Sequence, residues 1–331
     1  MWKCALSRRQ WGVLLATVGT ASVSPDSLLI RLANLEQPSR GCVLFYICLF
    51  QSVATTLGLV LVYRGPAKLL EACLATGWHF WAAAFFLGLC DVTFTLAIQL
   101  TSVANVLVLV NASPLWCAIF SWLLFKERPP LHTLAALLLG VACVGAVFLS
   151  SRCLESLGAE SIWGDLLGLG TGICLALYLT TCRHCGMRRP DCSLVPAAMS
   201  GAWLAVLLSL AYAGGQVGAA CWPESGIWGW AWSVMDGSVC KPLCLVCLTI
   251  APRYIMSSEV AMIMLLEVLL GPLLAWLALG EAPPDVTLAA GVVLFVVLLL
   301  HEGYSARLAR KLPAESKVES CSESTEAESV V

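Results

Sequence analysis

The chain has 331 residues, of which 59% are hydrophobic and only 12% are charged. A soluble domain carries about 25% charged residues, so this composition excludes an ordinary soluble protein. The net charge of −2, with 19 Lys and Arg against 21 Asp and Glu, argues against a nucleic-acid partner. The composition therefore predicts a protein whose main partner is the lipid bilayer.

Ten apolar stretches are long enough to cross a bilayer as helices, since about 20 apolar residues span its hydrocarbon core. In chain order these predicted spans 1 to 10 are 11–31, 41–62, 79–99, 102–124, 131–150, 162–182, 194–214, 227–250, 255–279 and 286–301. A membrane β-barrel would instead show short alternating strands. The sequence therefore predicts an all-α integral membrane protein with ten transmembrane helices.

The distribution of basic residues between the loops predicts the orientation. With a cytoplasmic N-terminus, 15 of the 19 Lys and Arg residues fall on the cytoplasmic side and 3 fall outside. Cytoplasmic loops are enriched in Lys and Arg, so both termini are expected in the cytoplasm, and the plasma membrane is the default location. A rival interpretation treats residues 1–22 as a cleaved signal peptide, because they have a basic start, an apolar run and small residues.

An internal similarity at an offset of 154 residues decides between these interpretations. SWLLFKERPPLHTLAA (121–136) aligns with AWLALGEAPPDVTLAA (275–290), with identities at Trp122, at Glu127, at both prolines and over Thr133–Ala136. Each half of the chain then holds five helices, and an odd number gives the two halves opposite orientations. The repeat needs the first span, so it predicts two inverted five-helix halves and argues against the signal peptide.

The residues around this repeat resemble a known family. TSVANVLVLVNASPLWCAIFSWLLFKERPP resembles the end of an EamA domain, and APRYIMSSEVAMIMLLEVLLGPLLAWLALGEAPP resembles a second copy. One departure is Val268, which follows Leu266 and Glu267 where the second copy usually has Pro. The EamA family belongs to the drug/metabolite transporter superfamily. The resemblance implies a secondary transporter that works by alternating access around a central cavity, and it does not fix the substrate.

The resemblance and the spans together define the expected domains. They are a cytoplasmic N-terminus (1–10), a first EamA-like repeat (11–150), a linker (151–161), a second repeat (162–301) and a disordered Ser/Glu-rich tail (302–331). Two further partners stay open: a second copy of the chain as a homodimer, and a domain that captures the C-terminal peptide Ser329–Val331 by strand addition.

Ionisable residues inside the spans are the candidates for substrate or ion binding. A charge at the membrane centre costs about 2.5–3.5 kcal/mol, so each one needs a partner, water or a function. The candidates are Asp91 in span 3, Asp236 and Lys241 in span 8, and Glu259 and Glu267 in span 9. Glu267 lies deepest and is the leading candidate for proton or cation coupling.

Each candidate also has a purely structural alternative. Lys241 is expected to pair with Asp91 or Glu267, and Glu259 is expected to cap a helix or to pair with Arg253. Asp26 lies in the outer part of span 1 and is not a candidate.

Span 8 contains the segment MDGSVCKPL, which predicts a broken helix. Pro242 cannot donate a hydrogen bond to the Ser238 carbonyl, and Gly237 loosens the same turn. Broken helices at mid-membrane form binding sites in transporters. On a regular helix Asp236 and Lys241 would point about 140° apart, so they would not pair without the break.

Weaker signals complete the list of candidates. Asn105 and Asn111 on span 4 are secondary candidates, with hydrogen bonding between helices as the alternative. The glycine series Gly164, Gly168 and Gly172 indicates close helix packing. Cys153 and Cys221 lie on the outer side and could pair.

Neither a metal site, a cofactor nor an enzyme is expected. Cys182, His184, Cys185 and Cys192 have the donors of a metal clip, but their loop contains no second Cys-x2-Cys pair. The four histidines lie at or near span ends, and no nucleophile with a base is in register.

The sequence therefore predicts a secondary transporter of a small polar organic metabolite that uses alternating access and is coupled to protons or driven by exchange. The alternatives are a cation channel or carrier, which the excess of acidic residues suggests, and a membrane scaffold without transport activity.

Overall fold

The computed structural model describes residues 8–36, 39–101, 103–110, 113–125, 131–152, 159–189, 193–213, 227–264 and 266–279, with isolated positions between 289 and 304. The regular structure of this part is helical, and it contains no strand. The helices are α1 (Arg8–Val23), α2 (Asp26–Glu36), α3 (Arg40–Val62), α4 (Pro66–Ala75), α5 (Trp78–Leu100), α6 (Val103–Val110), α7 (Ser113–Phe125), α8 (Leu131–Arg152), α9 (Ala159–Arg188), α10 (Val195–Tyr212), α11 (Ile227–Met235), α12 (Lys241–Ile250), α13 (Ser257–Met264) and α14 (Leu266–Leu279).

Six helical segments of the described part are long and apolar enough to cross a membrane. They are Arg8–Glu36, Arg40–Val62, Trp78–Leu100, Trp163–Arg188, Val195–Tyr212 and Trp230–Arg253. These segments coincide with predicted spans 1, 2, 3, 6, 7 and 8. The prediction of an all-α integral membrane protein is therefore confirmed.

Helices also occupy three of the other four predicted spans. Span 4 contains α6 and α7, span 5 contains α8, and span 9 contains α13 and α14. Span 10 falls almost entirely outside the described residues.

Two helices organise the packing of the bundle. Helix α9 packs along α5 and also contacts α6 and α7, while α5 and α3 both pack against α10. Helix α1 packs against α12 and α13, so the first span is an integral part of the bundle. The interior of these contacts is apolar and includes the fully buried side chains of Tyr178, Ile47 and Leu179.

Close backbone approaches explain several glycines. A Cβ on Gly172 of α9 would lie 2.9 Å from the Leu109 carbonyl oxygen of α6, and Gly164 and Gly168 of the same helix are also in close contact with neighbours. The predicted packing role of this glycine series is confirmed. Small residues let helix backbones approach one another where lipid provides no hydrophobic driving force.

The interruption predicted for span 8 is wrong in its kind, although the helix is irregular at the predicted position. Residues Asp236–Cys240 form a π-helical turn that continues directly into α12, so span 8 does not break. A π turn bonds residues five apart, so Pro242 is not required to donate to the Ser238 carbonyl. The break lies in span 1 instead, where α1 ends at Val23 and α2 begins at Asp26.

Candidate substrate and ion site

The break in the first span places a carboxyl group in the protein interior. Ser24 and Pro25 separate α1 from α2, and the Ser24 hydroxyl donates to the Thr20 carbonyl at 2.8 Å. Asp26 is therefore the first residue of α2, where the positive end of the helix dipole favours a negative charge. Its residue exposure is only 2%.

The π turn brings a second pair of charged residues into register. The backbone N–H of Lys241 donates to the carbonyl of Asp236, five residues earlier. A π turn is wider than an α-helical turn, so Asp236 and Lys241 point in more similar directions than they would on a regular α-helix. Both side chains are buried, Asp236 completely and Lys241 with 5% exposure.

Gly237 allows this turn to contact α3 directly. A Cβ at this position would lie 2.5 Å from the Ile47 carbonyl oxygen and 3.0 Å from the Gln51 amide nitrogen. The sequence interpretation of Gly237 as a loosening residue is therefore incomplete, because its missing side chain permits contact between two backbones.

Lys241 forms a buried ion pair with Asp26. The distance from Lys241 Nζ to Asp26 Oδ2 is 3.1 Å, and the two side chains are 5% and 2% exposed. The ammonium also lies 5.5 Å from the centroid of the Phe94 ring, within cation–π range. The partner is thus neither Asp91 nor Glu267, the two that the sequence suggested.

Asp91 is held by a neutral partner. Gln51 of α3 donates from Nε2 to Asp91 Oδ2 at 2.8 Å, and both residues are buried. The sequence does not single out Gln51, because an uncharged residue in a long apolar span gives only a weak signal for a binding site.

Four charged residues line one internal cavity of about 70 Å³. They are Asp26, Asp91, Lys241 and Glu267. The rest of the wall is mostly apolar and consists of Val23, Leu87, Cys90, Phe94, Val110, Thr171, Leu175, Cys244, Leu245, Leu248 and Met264. A cavity of this size holds only a few water molecules or a small ligand. Three of the five predicted site residues, Asp91, Lys241 and Glu267, therefore meet in one place.

Several buried carboxyl oxygens have no hydrogen-bond partner among the described atoms. They are Asp26 Oδ1, Glu267 Oε1 and both Oδ atoms of Asp236. Asp236 is completely buried but does not line the cavity. Among the described side chains, Asp26 is paired with Lys241 and Asp91 is bonded to Gln51, whereas neither carboxyl oxygen of Asp236 has a partner. Buried polar groups without partners are costly, so this cluster is suited to bind protons, cations or ligand donors.

Glu259 does not belong to this cluster. Its Oε1 lies 3.2 Å from Arg9 Nη2 of α1, and its Oε2 accepts a hydrogen bond from the Met256 N–H at 3.2 Å. The second contact is half of a capping box at the start of α13. Glu259 is therefore a capping residue, as its structural alternative predicted, but Arg9 rather than Arg253 is its cation.

The secondary candidates cannot be placed in the site. Asn105 lies on α6, but its side chain and the whole of Asn111 are outside the described part of the chain.

The cysteines and histidines give one unexpected contact. Cys182 and Cys185 are buried, and His184 Nδ1 lies 2.9 Å from His79 Nε2. Within the described residues no group of three His, Cys, Asp or Glu could hold a metal ion. Cys42, at the start of α3, is disulfide-bonded.

Asp26 pairs with the central lysine, although the sequence places it only in the outer part of span 1 and not among the candidate site residues. A signal was present in Ser24-Pro25-Asp26, where a proline and an acid occur together inside an apolar span. Because polar residues lower the apolar character of a span, the same residues only weakened the prediction of span 1. A proline followed directly by an acid also indicates an interior helix start.

The helices and their buried charges define a multi-pass integral membrane protein. Residues 10–151 match the model of the EamA-like transporter family, a family of the drug/metabolite transporter superfamily, as the resemblance predicted. A solved crystal structure described only as that of a protein is similar in fold, with a TM-score of 0.67 and 18% identity over 92% of this chain and 99% of that chain. No curated protein gives a significant match.

Proposed function

We propose that the protein is a secondary transporter that carries a small polar organic metabolite by alternating access, and that it is not an enzyme. The observation that carries this proposal is the internal cavity, lined by Asp26, Asp91, Lys241 and Glu267, in a helix bundle with an EamA domain. Charged groups buried at membrane depth mark the pathways of substrates and ions.

The ten-helix inverted repeat is part of this proposal. The six membrane-spanning segments form three pairs whose starts are related by an offset of 154 residues, to within two residues: Arg8–Glu36 with Trp163–Arg188, Arg40–Val62 with Val195–Tyr212, and Trp78–Leu100 with Trp230–Arg253. The offset is the one that relates the two similar sequence stretches.

The same offset relates shorter helices. It carries α6 (Val103–Val110) onto α13 (Ser257–Met264) and α7 onto α14. These pairings support repeats at 11–150 and 162–301, with 1–10, 151–161 and 302–331 outside them. The homodimer and the partner of Ser329–Val331 stay predictions, and that peptide lies outside the described residues.

Glu267 is the proposed coupling residue. Its side chain lines the cavity, it is 4% exposed, and its Oε1 has no described partner, so it is available for a proton or cation. In proteoliposomes given a panel of labelled amino acids, nucleobases, monosaccharides and amines, an imposed proton gradient is expected to stimulate uptake of at least one class. Glu267→Gln should reduce that uptake to its level without a gradient.

Glu71→Gln is the matched control, because Glu71 is exposed on α4. It should retain the stimulation. Gradient-driven uptake that survives in Glu267→Gln contradicts the coupling role. Ion current without saturable uptake of any class would support a channel instead of a transporter.

The disulfide at Cys42 supports the proposed orientation. Cys42 lies at the predicted outer end of span 2, and disulfides persist in oxidising compartments but are rare in the cytosol. We therefore place this end outside the cytoplasm and both termini inside, with the plasma membrane as the proposed location.

Cysteine labelling tests this orientation. In native membranes, treatment with a reductant should add two maleimide-reactive thiols to the wild-type chain, that of Cys42 and that of its disulfide partner. In Cys42→Ser the partner thiol should be labelled without reductant, so the reductant-dependent labelling should be lost. Cys73→Ser, at a free cysteine of α4, should leave the reductant-dependent labelling unchanged. A Cys42 that is labelled without reductant contradicts the proposed orientation.

A further inference from the structure

We propose that the cargo is a small primary amine, carried as its ammonium cation and bound between Glu267 Oε1 and Asp26 Oδ1. This inference rests on the transport function proposed above and names its substrate class.

The charge of the cavity favours a cation. Its wall carries the carboxyl groups of Asp26, Asp91 and Glu267 against the single ammonium of Lys241, and the carboxyl of Asp236 is buried nearby. An anionic cargo would be repelled by each of these carboxyl groups that is ionised. A cationic cargo would be attracted to it, because opposite charges attract strongly where water is scarce.

The hydrogen bonds show which oxygens are left for the cargo. Lys241 forms an ion pair with Asp26 Oδ2, and Gln51 donates a hydrogen bond to Asp91 Oδ2. Asp26 Oδ1 and Glu267 Oε1 have no described partner, although both side chains are more than nine-tenths buried and line the cavity.

A primary ammonium group matches this pair of acceptors. It has three N–H donors and no acceptor, so it can bond to both oxygens and to one further group. A quaternary ammonium ion carries the same charge but has no N–H donor. Acceptor oxygens without partners therefore favour a cargo that has hydrogen-bond donors over one that has positive charge alone.

The apolar wall favours an organic cation over a metal ion. Leu87, Leu175, Leu245, Leu248 and Met264 cover most of the remaining surface. Hard metal cations such as Ca²⁺ take six to eight oxygen ligands, which these side chains cannot supply. A short alkyl chain would instead be buried against them, and a volume of about 70 Å³ limits its length in this conformation.

Thermal unfolding of the purified full-length chain in detergent tests the proposal. The probes are n-propylammonium, tetramethylammonium, propionate and 1-propanol, at pH 7 and equal ionic strength. Propylammonium should raise the unfolding temperature in a saturable manner, because a ligand that binds only the folded state stabilises it. Tetramethylammonium, propionate and propanol should give no saturable shift.

Two variants examine the proposed contact. Glu267→Gln should weaken the apparent binding of propylammonium by at least about tenfold, because it removes one partner of a buried charged hydrogen bond. Glu71→Gln, on the surface of α4, should bind propylammonium as the wild type does. The comparison of the four probes on the wild-type chain needs no variant and stands even if Glu267→Gln fails to fold.

Three outcomes overturn the amine assignment: a shift with propionate but not with propylammonium, equal shifts with propylammonium and tetramethylammonium, or no shift with any probe. Proteoliposome uptake of the wider metabolite panel then separates the two proposals. Uptake of a non-amine class would show that transport stands while the substrate class is wrong, and absence of all uptake would remove both.

Discussion

Replacement of Lys241 by Met is expected to destabilise the protein by about 3–5 kcal/mol, the usual cost of removing one partner of a buried ion pair. Lys241 is the ammonium bonded to Asp26, and it lines the same cavity as the carboxyl groups of Asp91 and Glu267. Without it, these carboxyl groups lose their cation in a site that water hardly reaches. The loss should become smaller as the pH is lowered, because protonation neutralises carboxyl groups that have lost their partner.

Chemical unfolding in detergent, followed at pH 8 and at pH 5, measures this effect. Lys68→Met is the control, because Lys68 is exposed on α4, and it should change the stability by less than about 0.5 kcal/mol. The double variant Asp26→Asn/Lys241→Met should recover part of the loss, since it removes both members of the pair. Equal stabilities of Lys241→Met and Lys68→Met would contradict the buried ion pair.

Substitution of Gly237 by Ala is expected to cost about 3 kcal/mol, at the upper end of the range for adding atoms to a packed interior. The new Cβ would lie 2.5 Å from the Ile47 carbonyl oxygen and 2.9 Å from Phe50 Cβ. Because a backbone atom cannot move aside as a flexible side chain can, α3 or the π turn must shift. The shift would also move Gln51, which holds Asp91.

Gly58→Ala is the matched control for this prediction. Gly58 lies on the same helix α3, and a Cβ added to it would have no described atom within 4 Å. That substitution should be neutral or stabilising by up to about 1 kcal/mol, since alanine favours helices. Equal unfolding midpoints for Gly237→Ala and Gly58→Ala in the detergent assay would contradict the close contact between the π turn and α3.

The sequence predicted much of the helical organisation because membrane insertion acts on local composition. Lipid offers no hydrogen bonds to the backbone, so each span must be a long apolar helix and can be recognised in isolation. The described membrane-spanning segments coincide with predicted spans for this reason. The scarcity of charge inside these spans also made Asp91, Lys241 and Glu267 visible as candidates, and all three line the cavity.

Glu259 shows the limit of this approach. The sequence makes it a candidate because its span reads as one helix with Glu267, and residues eight apart can share a helix face. In the structure it lies in the first turn of α13, where it caps the helix and pairs with Arg9. Depth within a predicted span is therefore a poor guide to a site residue when a helix begins close to that residue.

The sequence by itself determined that the chain is a helical membrane protein with a few buried charges, and that its first half resembles the EamA-like transporter family. Only the tertiary structure decided that Lys241 pairs with Asp26, that Gln51 holds Asp91, and that a π turn occurs where a break was expected. Insertion depends on the composition of each span, which is local, whereas the partner of a buried charge depends on which helices pack together and at what height. The two residues of that central ion pair are 215 positions apart in the chain, and no local pattern relates them.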